Sequence, residues 1–168
     1  MTPASRTVAW RRLAIVVAGV VLVDQAAKAV VVRSIAPGER VETLPLLDLV
    51  HVTNEGVAFG FLGGNDRGVV LAVTIAALAF VVVWFLRNPQ RPWSWLAIGL
   101  LAGGAVGNLA DRLLRDGVVD FIDLPAWPSF NVADIAITIG AALLVLSAFG
   151  EGSQDDGQAD EEAPADAA

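Results

Sequence analysis

Residues 103–134 of this chain read GGAVGNLADRLLRDGVVDFIDLPAWPSFNVAD and join the end of one apolar segment to the start of another. The polar side chains of this stretch include Asn108, Asp111, Arg112, Asp116, Asp120, Asp123, Asn131 and Asp134. Polar groups placed this densely between apolar segments are costly unless they pair with one another or with a substrate. Carboxyl groups brought together away from water can also catalyse hydrolysis by acid–base chemistry without a metal. The stretch therefore predicts a functional site around which the apolar segments are arranged.

The composition places the chain among membrane proteins. Of its 168 residues, 55% are hydrophobic, which is more than an ordinary soluble domain carries. All 11 Lys and Arg residues and 11 of the 18 acidic residues lie within residues 1–150, so this part is neutral overall. The net charge of −7 comes from the acidic residues 151–168, which we expect to form a disordered cytoplasmic tail.

The absence of cysteine and the presence of a single histidine exclude or disfavour several kinds of functional site. The chain has no cysteine, which rules out disulfides, thiol nucleophiles and thiolate metal sites. Its single histidine, His51, disfavours a histidine-rich metal site and a Ser-His-Asp triad, and we expect a packing or surface role for it. The basic residues form no stripe of the kind that binds nucleic acid. We therefore expect no metal, no cofactor and no nucleic acid partner.

The apolar runs predict an all-α membrane protein, a four-transmembrane-helix bundle, within a single domain formed by residues 1–150. The predicted spans are residues 13–32, 68–86, 94–114 and 130–149. Roughly 20 apolar residues are needed to cross a bilayer. The first run could instead be a cleaved signal peptide, but its long apolar core and the charges of Asp24 and Lys28 favour a retained helix.

Basic residues predict the orientation of these spans. Four spans put both termini on the same side of the membrane. The arginines near the N-terminus, together with Arg87 and Arg91, are expected in the cytoplasm, so both termini should lie there. Residues 34–67 and 115–129 then face outward. Alternating segments within residues 34–67 predict a small extracytoplasmic β-sheet or amphipathic region at the membrane surface, whereas residues 115–129 are expected to form a loop.

The costly polar residues all fall on the outer side of this topology. Asp24 and Lys28 are four residues apart, so they can either neutralise each other or support a site. Asn108, Asp111 and Arg112 share one face of the third span, where Asp111 and Arg112 could be a structural pair.

Two further features of this region point to helix packing and to catalysis. A ridge of small residues on the third span, Gly99, Gly103 and Gly107, would let another helix approach closely. Asp120 and Asp134 have no obvious basic partner nearby in the sequence, which favours a catalytic role for both.

The chain resembles the lipoprotein signal peptidases, also called signal peptidase II, a family of bacterial membrane aspartic peptidases. The matching motifs are Asp24-Gln25-x-x-Lys28, Asn54-x-Gly56-x-Ala58-Phe59-Gly60, Gly103-Gly104-x-x-Gly107-Asn108-x-x-Asp111-Arg112, Val119-Asp120-Phe121 and Phe130-Asn131-x-Ala133-Asp134. Each motif alone is weak, but five in the same order across a predicted four-span topology are specific.

The resemblance implies an enzyme that cuts the signal peptide from diacylglyceryl-modified prolipoproteins, just before the lipidated cysteine. It implies Asp120 and Asp134 as the catalytic pair, with Asp111 as the alternate. The substrate-binding or supporting residues that it implies are Asp24, Lys28, Asn54, Gly56, Asn108, Asp111, Arg112, Asn131 and Ala133. The enzyme is expected to be a monomer in the bacterial cytoplasmic membrane. Its expected partners are prolipoprotein substrates and membrane lipids.

Two other functions fit part of the pattern. A small scaffold or transporter subunit could use Asp24, Lys28 and Asp134 structurally or to conduct protons, but polar residues should then run through the whole membrane thickness. An intramembrane aspartic protease that cuts transmembrane helices would place both aspartates within spans, whereas Asp120 is expected in a loop.

Overall fold

The computed structural model describes residues 3–54, 66–88, 93–115 and 117–149, which form four helices and four strands. In chain order these are α1 (Pro3–Ser34), β1 (Arg40–Leu44), β2 (Leu47–Asn54), α2 (Asp66–Arg87), α3 (Ser94–Leu114), β3 (Val118–Leu124), β4 (Trp127–Phe130) and α4 (Val132–Phe149). Each predicted span therefore corresponds closely to a helix, and α1 also includes the basic residues before the first span. Gly56, the 55–65 segment around it and the acidic tail lie outside the described residues.

Two of the described helices are long and apolar enough to cross a membrane. They are Arg6–Ser34 within α1 and Ser94–Leu114, which is α3. The apolar parts of the other two helices, Leu71–Arg87 and Val132–Ser147, are shorter. Length and composition alone thus support two spans, and the count of four remains a prediction.

The sheet is larger than the sequence predicted. All four strands pair antiparallel in the order β1-β2-β3-β4. The prediction that residues 115–129 form a loop is wrong, because β3 and β4 lie within them and Asp120 is on a strand, where it pairs with Val52 of β2. This pairing joins segments far apart in the sequence, and local patterns do not report it.

Helix α3 lies at the centre of the bundle and packs against α1 and α4 through glycines. A Cβ at Gly103 would lie 2.8 Å from the Cβ of Val20, so only a residue without a side chain lets α1 come this close. Gly104 faces the backbone carbonyl of Ala133 in α4 at a similarly short approach. The predicted ridge is confirmed where α3 packs on α1, and Gly104, which was not part of that prediction, lets α4 approach closely. The polar faces of the three helices therefore meet.

A small apolar cluster holds β3 against the end of α1. It contains Val31 of α1, Ile35 just after that helix, and Val119 and Phe121 of β3. Because successive side chains of a strand point to opposite faces, anchoring Val119 and Phe121 turns the side chain of Asp120 the other way. His51 is buried nearby, and its Nδ1 lies 2.8 Å from the carbonyl oxygen of Ile35, which agrees with the packing role expected for it.

Candidate active site

The start of α4 is fixed by a reciprocal pair of hydrogen bonds. The backbone N–H of Asp134 donates to the side-chain oxygen of Asn131 at 3.0 Å, and the backbone N–H of Asn131 donates to Oδ2 of Asp134 at 3.2 Å. An asparagine followed three residues later by an acid is the arrangement that satisfies the free N–H groups of a helix start. The sequence Asn131-x-x-Asp134 thus both begins the helix and fixes the carboxyl group of Asp134.

Asn131 also connects Asp134 with Asp120. Its side-chain amide donates to Oδ1 of Asp120 at 2.7 Å, while Asn54 at the end of β2 donates to Oδ2 of the same carboxyl group at 3.1 Å. Asn131 is fully buried and Asp120 is 4% exposed. The two carboxyl groups predicted to be catalytic are therefore joined through one buried asparagine.

Asn108 of α3 orients Asp134 from the other side. Its Oδ1 accepts hydrogen bonds from Lys28 at 2.9 Å and from Asn131 at 3.2 Å, and its Nδ2 donates to Oδ1 of Asp134 at 2.9 Å. Because Oδ1 faces two donors and Nδ2 faces an acceptor, only one orientation of the amide satisfies all three contacts.

Beneath this site lies a buried ion cluster. Lys28 Nζ is 2.8 Å from a carboxylate oxygen of Asp24 and 2.8 Å from one of Asp111, and all three side chains are fully buried. Arg115 forms a further ion pair with Asp111. Two acids and two bases balance each other, which is what buried charges require.

The ion cluster also ties separate elements to the site. The backbone N–H of Ala133 donates to Asp24 at 2.9 Å, and that of Val119 donates to Asp111 at 3.2 Å. Asp24 thus holds the start of α4, which carries Asp134. Asp111 holds the strand that carries Asp120.

Arg112 faces the predicted catalytic pair. It interacts electrostatically with both Asp120 and Asp134 and is half-buried. One proton shared between the two carboxyl groups would leave a single negative charge opposite this arginine. The site is then neutral, like the ion cluster beneath it.

The surroundings of Asp120 favour its protonated form. Burial raises the pKa of Asp120 to about 6, the hydrogen bond from Asn54 acts against this rise, and the negative charge of Asp134 adds to it. Asp120 therefore keeps its proton at pH values where an ordinary aspartate is ionised. A group of this kind beside a second carboxyl group can serve as a general acid.

Two variants should move this pKa in opposite directions. Asp134→Asn removes a charge that favours protonation, so the pKa of Asp120 should fall below about 6. Asn54→Leu removes a donor to the ionised form, so the pKa should rise. Infrared difference spectra of the neutral carboxyl band, compared with an Asp120→Asn reference, measure both shifts. Asp123→Asn, on the same strand, is the matched control, and equal shifts in all three variants would contradict this account.

Two cavities meet at Asp134. The interhelical cavity, of about 320 Å³, lies between α2, α3 and α4, and Asn108 and Arg112 contribute to its wall. The hairpin cavity, of about 360 Å³, lies between α4 and the hairpin formed by β3 and β4. Both have largely apolar walls, so a long apolar ligand could lie on either side of this carboxyl group.

The structure brings together nearly all of the predicted site residues. Gly56 lies outside the described residues, and Asn54 is exposed although it contacts Asp120. Two members of the network were not singled out as site residues, namely Gln25, which donates to Asp111 at 3.0 Å, and Arg115. Arg115 lies four residues after Asp111, and this helical spacing could have identified it. No group of three or more His, Asp or Glu side chains suited to a metal ion occurs among the described residues.

Comparison with known proteins relates the chain to a family of peptidases. The profile of a family described as Signal peptidase (SPase) II matches residues 16–150. Proteins named lipoprotein signal peptidase from Brucella ovis and Brucella suis are 39% identical to it over 149 residues, which cover 86% of this chain and 92% of each relative.

Solved structures of bacterial membrane enzymes are similar to the chain in sequence and in fold. Two structures described as bacterial membrane enzymes match with TM-scores of 0.77 and 0.76 at 32% and 30% sequence identity. The first match covers 83% of this chain and 93% of the other, and the second covers 93% and 94%.

Proposed function

This chain belongs to the signal peptidase II family, as its motifs predicted, and we propose that it is an aspartic endopeptidase acting on diacylglyceryl-modified prolipoproteins. The family implies a membrane protease that removes signal peptides from prolipoproteins. We propose in addition that two aspartates catalyse the cleavage and that the chain is cut just before the lipidated cysteine. The observation that carries it is the buried link from Asp120 through Asn131 to Asp134.

The mechanism needs one proton shared between two carboxyl groups. The ionised carboxylate takes a proton from a water molecule, whose oxygen attacks the scissile carbonyl carbon. The protonated carboxyl group donates its proton to the carbonyl oxygen, which gives a neutral tetrahedral intermediate. As that intermediate collapses, the carboxyl group that took the proton from water passes it to the amide nitrogen and the C–N bond breaks. One hydroxyl of the intermediate returns its proton to the other carboxylate, which restores the pair.

The surroundings suit Asp120 as the group that holds the shared proton. Burial raises the pKa of Asp120 to about 6, which supports this assignment for the free enzyme. Asn108 and Asn131 keep the carboxyl group of Asp134 in a fixed orientation. Arg112 lies where it can balance the negative charge of the pair and contact a peptide carbonyl oxygen.

A lipidated substrate accounts for the position of the site. Its acyl chains can remain in the bilayer while the peptide reaches a polar site at the end of the helices. We propose that all four helices cross the bacterial cytoplasmic membrane, with both termini in the cytoplasm and the sheet and active site outside. The arginines near the N-terminus, Arg87 in the last turn of α2 and Arg91 after it in the sequence support this orientation.

Single introduced cysteines test this topology, since the chain has none of its own. The variant Thr43→Cys, on β1, should react with a membrane-impermeant maleimide in spheroplasts. Cysteine at Arg6, near the N-terminus, should react only after the membrane is broken. The opposite pattern would reverse the orientation, and labelling of both in spheroplasts would contradict a shared cytoplasmic location of the termini.

The activity is tested by cleavage of a synthetic prolipoprotein peptide in detergent. The peptide that carries a diacylglyceryl thioether should be cut just before the modified cysteine, as located by mass spectrometry. The same peptide with a free cysteine should react at least about a hundredfold more slowly, because each buried methylene contributes about 0.8 kcal/mol. A folded enzyme that cuts neither peptide, or both equally well, would overturn the proposed function.

A further inference from the structure

The two cavities at Asp134 differ in the chemistry of their walls. The interhelical cavity includes the amide of Asn108 and the guanidinium of Arg112, which can hydrogen-bond to a peptide backbone. The walls of the hairpin cavity other than Asp134 are formed by Leu124, Trp127, Phe130, Ile135, Thr138 and Ile139. The hydroxyl of Thr138 already donates to the backbone carbonyl of Asp134 at 2.8 Å. The hairpin cavity therefore suits a hydrocarbon chain better than a peptide.

The hairpin cavity continues into a surface that faces lipid in the proposed topology. Trp127 at its rim is 66% exposed, and Ile139 on α4 is 48% exposed. Val145 and Leu146, which lie beyond the cavity on the same helix and do not line it, are 54% and 66% exposed, so this side of α4 is apolar and accessible. Apolar side chains exposed along a helix at membrane depth contact acyl chains. A chain could thus enter the cavity sideways from the bilayer.

We propose that the hairpin cavity binds an acyl chain of the lipidated cysteine, an inference that rests on the proposed function. In such a substrate the lipid is attached to the residue directly after the scissile bond. When the reacting carbonyl is at Asp134, the acyl chains must therefore extend away from it on one side of this residue. The peptide that precedes the scissile bond extends away on the other side. The hairpin cavity takes the lipid side, and the interhelical cavity, with Asn108 and Arg112, takes the peptide side.

This assignment predicts which substitutions change selectivity for chain length. Ile139→Trp narrows the hairpin cavity, so kcat/KM for a substrate with two palmitoyl chains should fall by at least about tenfold, as expected for displacing roughly two methylenes. For a substrate with two butanoyl chains, kcat/KM should change less than about threefold, because such short chains do not reach the part of the cavity that the tryptophan occupies. Leu146→Trp, on the exposed face of the same helix but away from the cavity, is the matched control and should change neither value.

Equal losses with both substrates, or no loss with either, would overturn the assignment while leaving the proposed function intact. Failure of the wild type to cut either lipidated substrate would instead remove the function on which it rests. Trp127→Ala serves as a second variant, since its side chain is mostly exposed and its loss should not prevent folding. It should raise KM for the palmitoyl substrate with kcat nearly unchanged.

Photocrosslinking identifies the occupant directly. A substrate with a diazirine in one acyl chain, bound to the Asp120→Asn variant so that it is not turned over, should label Trp127 and Ile139. Labelling of Val73 and Leu101 in the interhelical cavity would exchange the two assignments. A diazirine-bearing phospholipid should lose its labelling of Trp127 and Ile139 when unlabelled substrate is added. If it keeps that labelling, the cavity holds bilayer lipid rather than substrate.

Discussion

Replacing Asp120 or Asp134 with asparagine is expected to lower kcat for the lipidated peptide by at least about 10⁴-fold. Each substitution removes one of the two groups that exchange protons with water and the scissile carbonyl, and neither remaining group can do both tasks. Asparagine keeps the shape of aspartate, and its oxygen can still accept from Asn131 at position 120 or from Asn108 at position 134. The folded state and substrate binding should therefore survive.

Three observations are needed to interpret that loss. The thermal midpoint in detergent and the binding of a lipidated peptide should stay close to the wild-type values. The matched control is Asp123→Asn, since Asp123 lies on the same strand as Asp120 but contacts Ser129 and Arg40 instead of the site. Its kcat should change less than about threefold, as is usual for substitutions away from the chemistry.

Asp111 provides the alternative outcome. It lies in a sequence motif as recognisable as those of the other two aspartates, but its carboxylate is fully buried and paired with Lys28 and Arg115. A group held this way can support the site without exchanging protons with substrate. If Asp111→Asn abolishes turnover in a folded enzyme and Asp120→Asn does not, the catalytic pair has been assigned wrongly.

Features set by helical spacing were predictable from the sequence. Asp24 and Lys28 pair as their four-residue separation indicated, and the glycines of α3 pack against α1 as predicted. Asp111 forms an ion pair with Arg115, four residues later, because such residues share a helix face.

Features set by contacts between distant segments were not predictable in the same way. Strand β3 forms because β2 and the end of α1 offer partners to an apolar segment, and neither partner is visible in residues 115–129 themselves. The second ion pair of Lys28, with Asp111, likewise depends on how α1 packs on α3. The sequence identified the polar residues of the site but not which atoms meet.

The second large effect is expected at Lys28, the only lysine in the chain. Lys28→Met removes a buried cation that lies 2.8 Å from both Asp24 and Asp111. Asp111 keeps Arg115, whereas the charge of Asp24 is left without a basic partner among its described contacts. Breaking a buried ion pair in this way costs about 3–5 kcal/mol, so the thermal midpoint in detergent should fall by roughly 10 °C.

The matched control is Arg33→Met, which removes a cation from an exposed position on the same helix. It should change the free energy of unfolding by less than about 0.5 kcal/mol. Equal losses of stability in the two variants would contradict a special role for the buried cluster.

A double variant separates the two roles that the structure gives to Lys28. In Lys28→Met/Asp24→Asn, position 24 no longer carries a charge, yet its oxygen can still accept from the backbone N–H of Ala133. Much of the lost stability should therefore return. Activity should not, because Asn108 has still lost the donor at 2.9 Å that helps to fix its amide towards Asp134.

We expect kcat to remain about 10²-fold below wild type, the size of effect that a small displacement of a catalytic group produces. If stability and activity return together, the contribution of Lys28 to catalysis is its charge balance alone. If stability does not return, the cost of Lys28→Met lies in packing rather than in the unpaired carboxylate of Asp24.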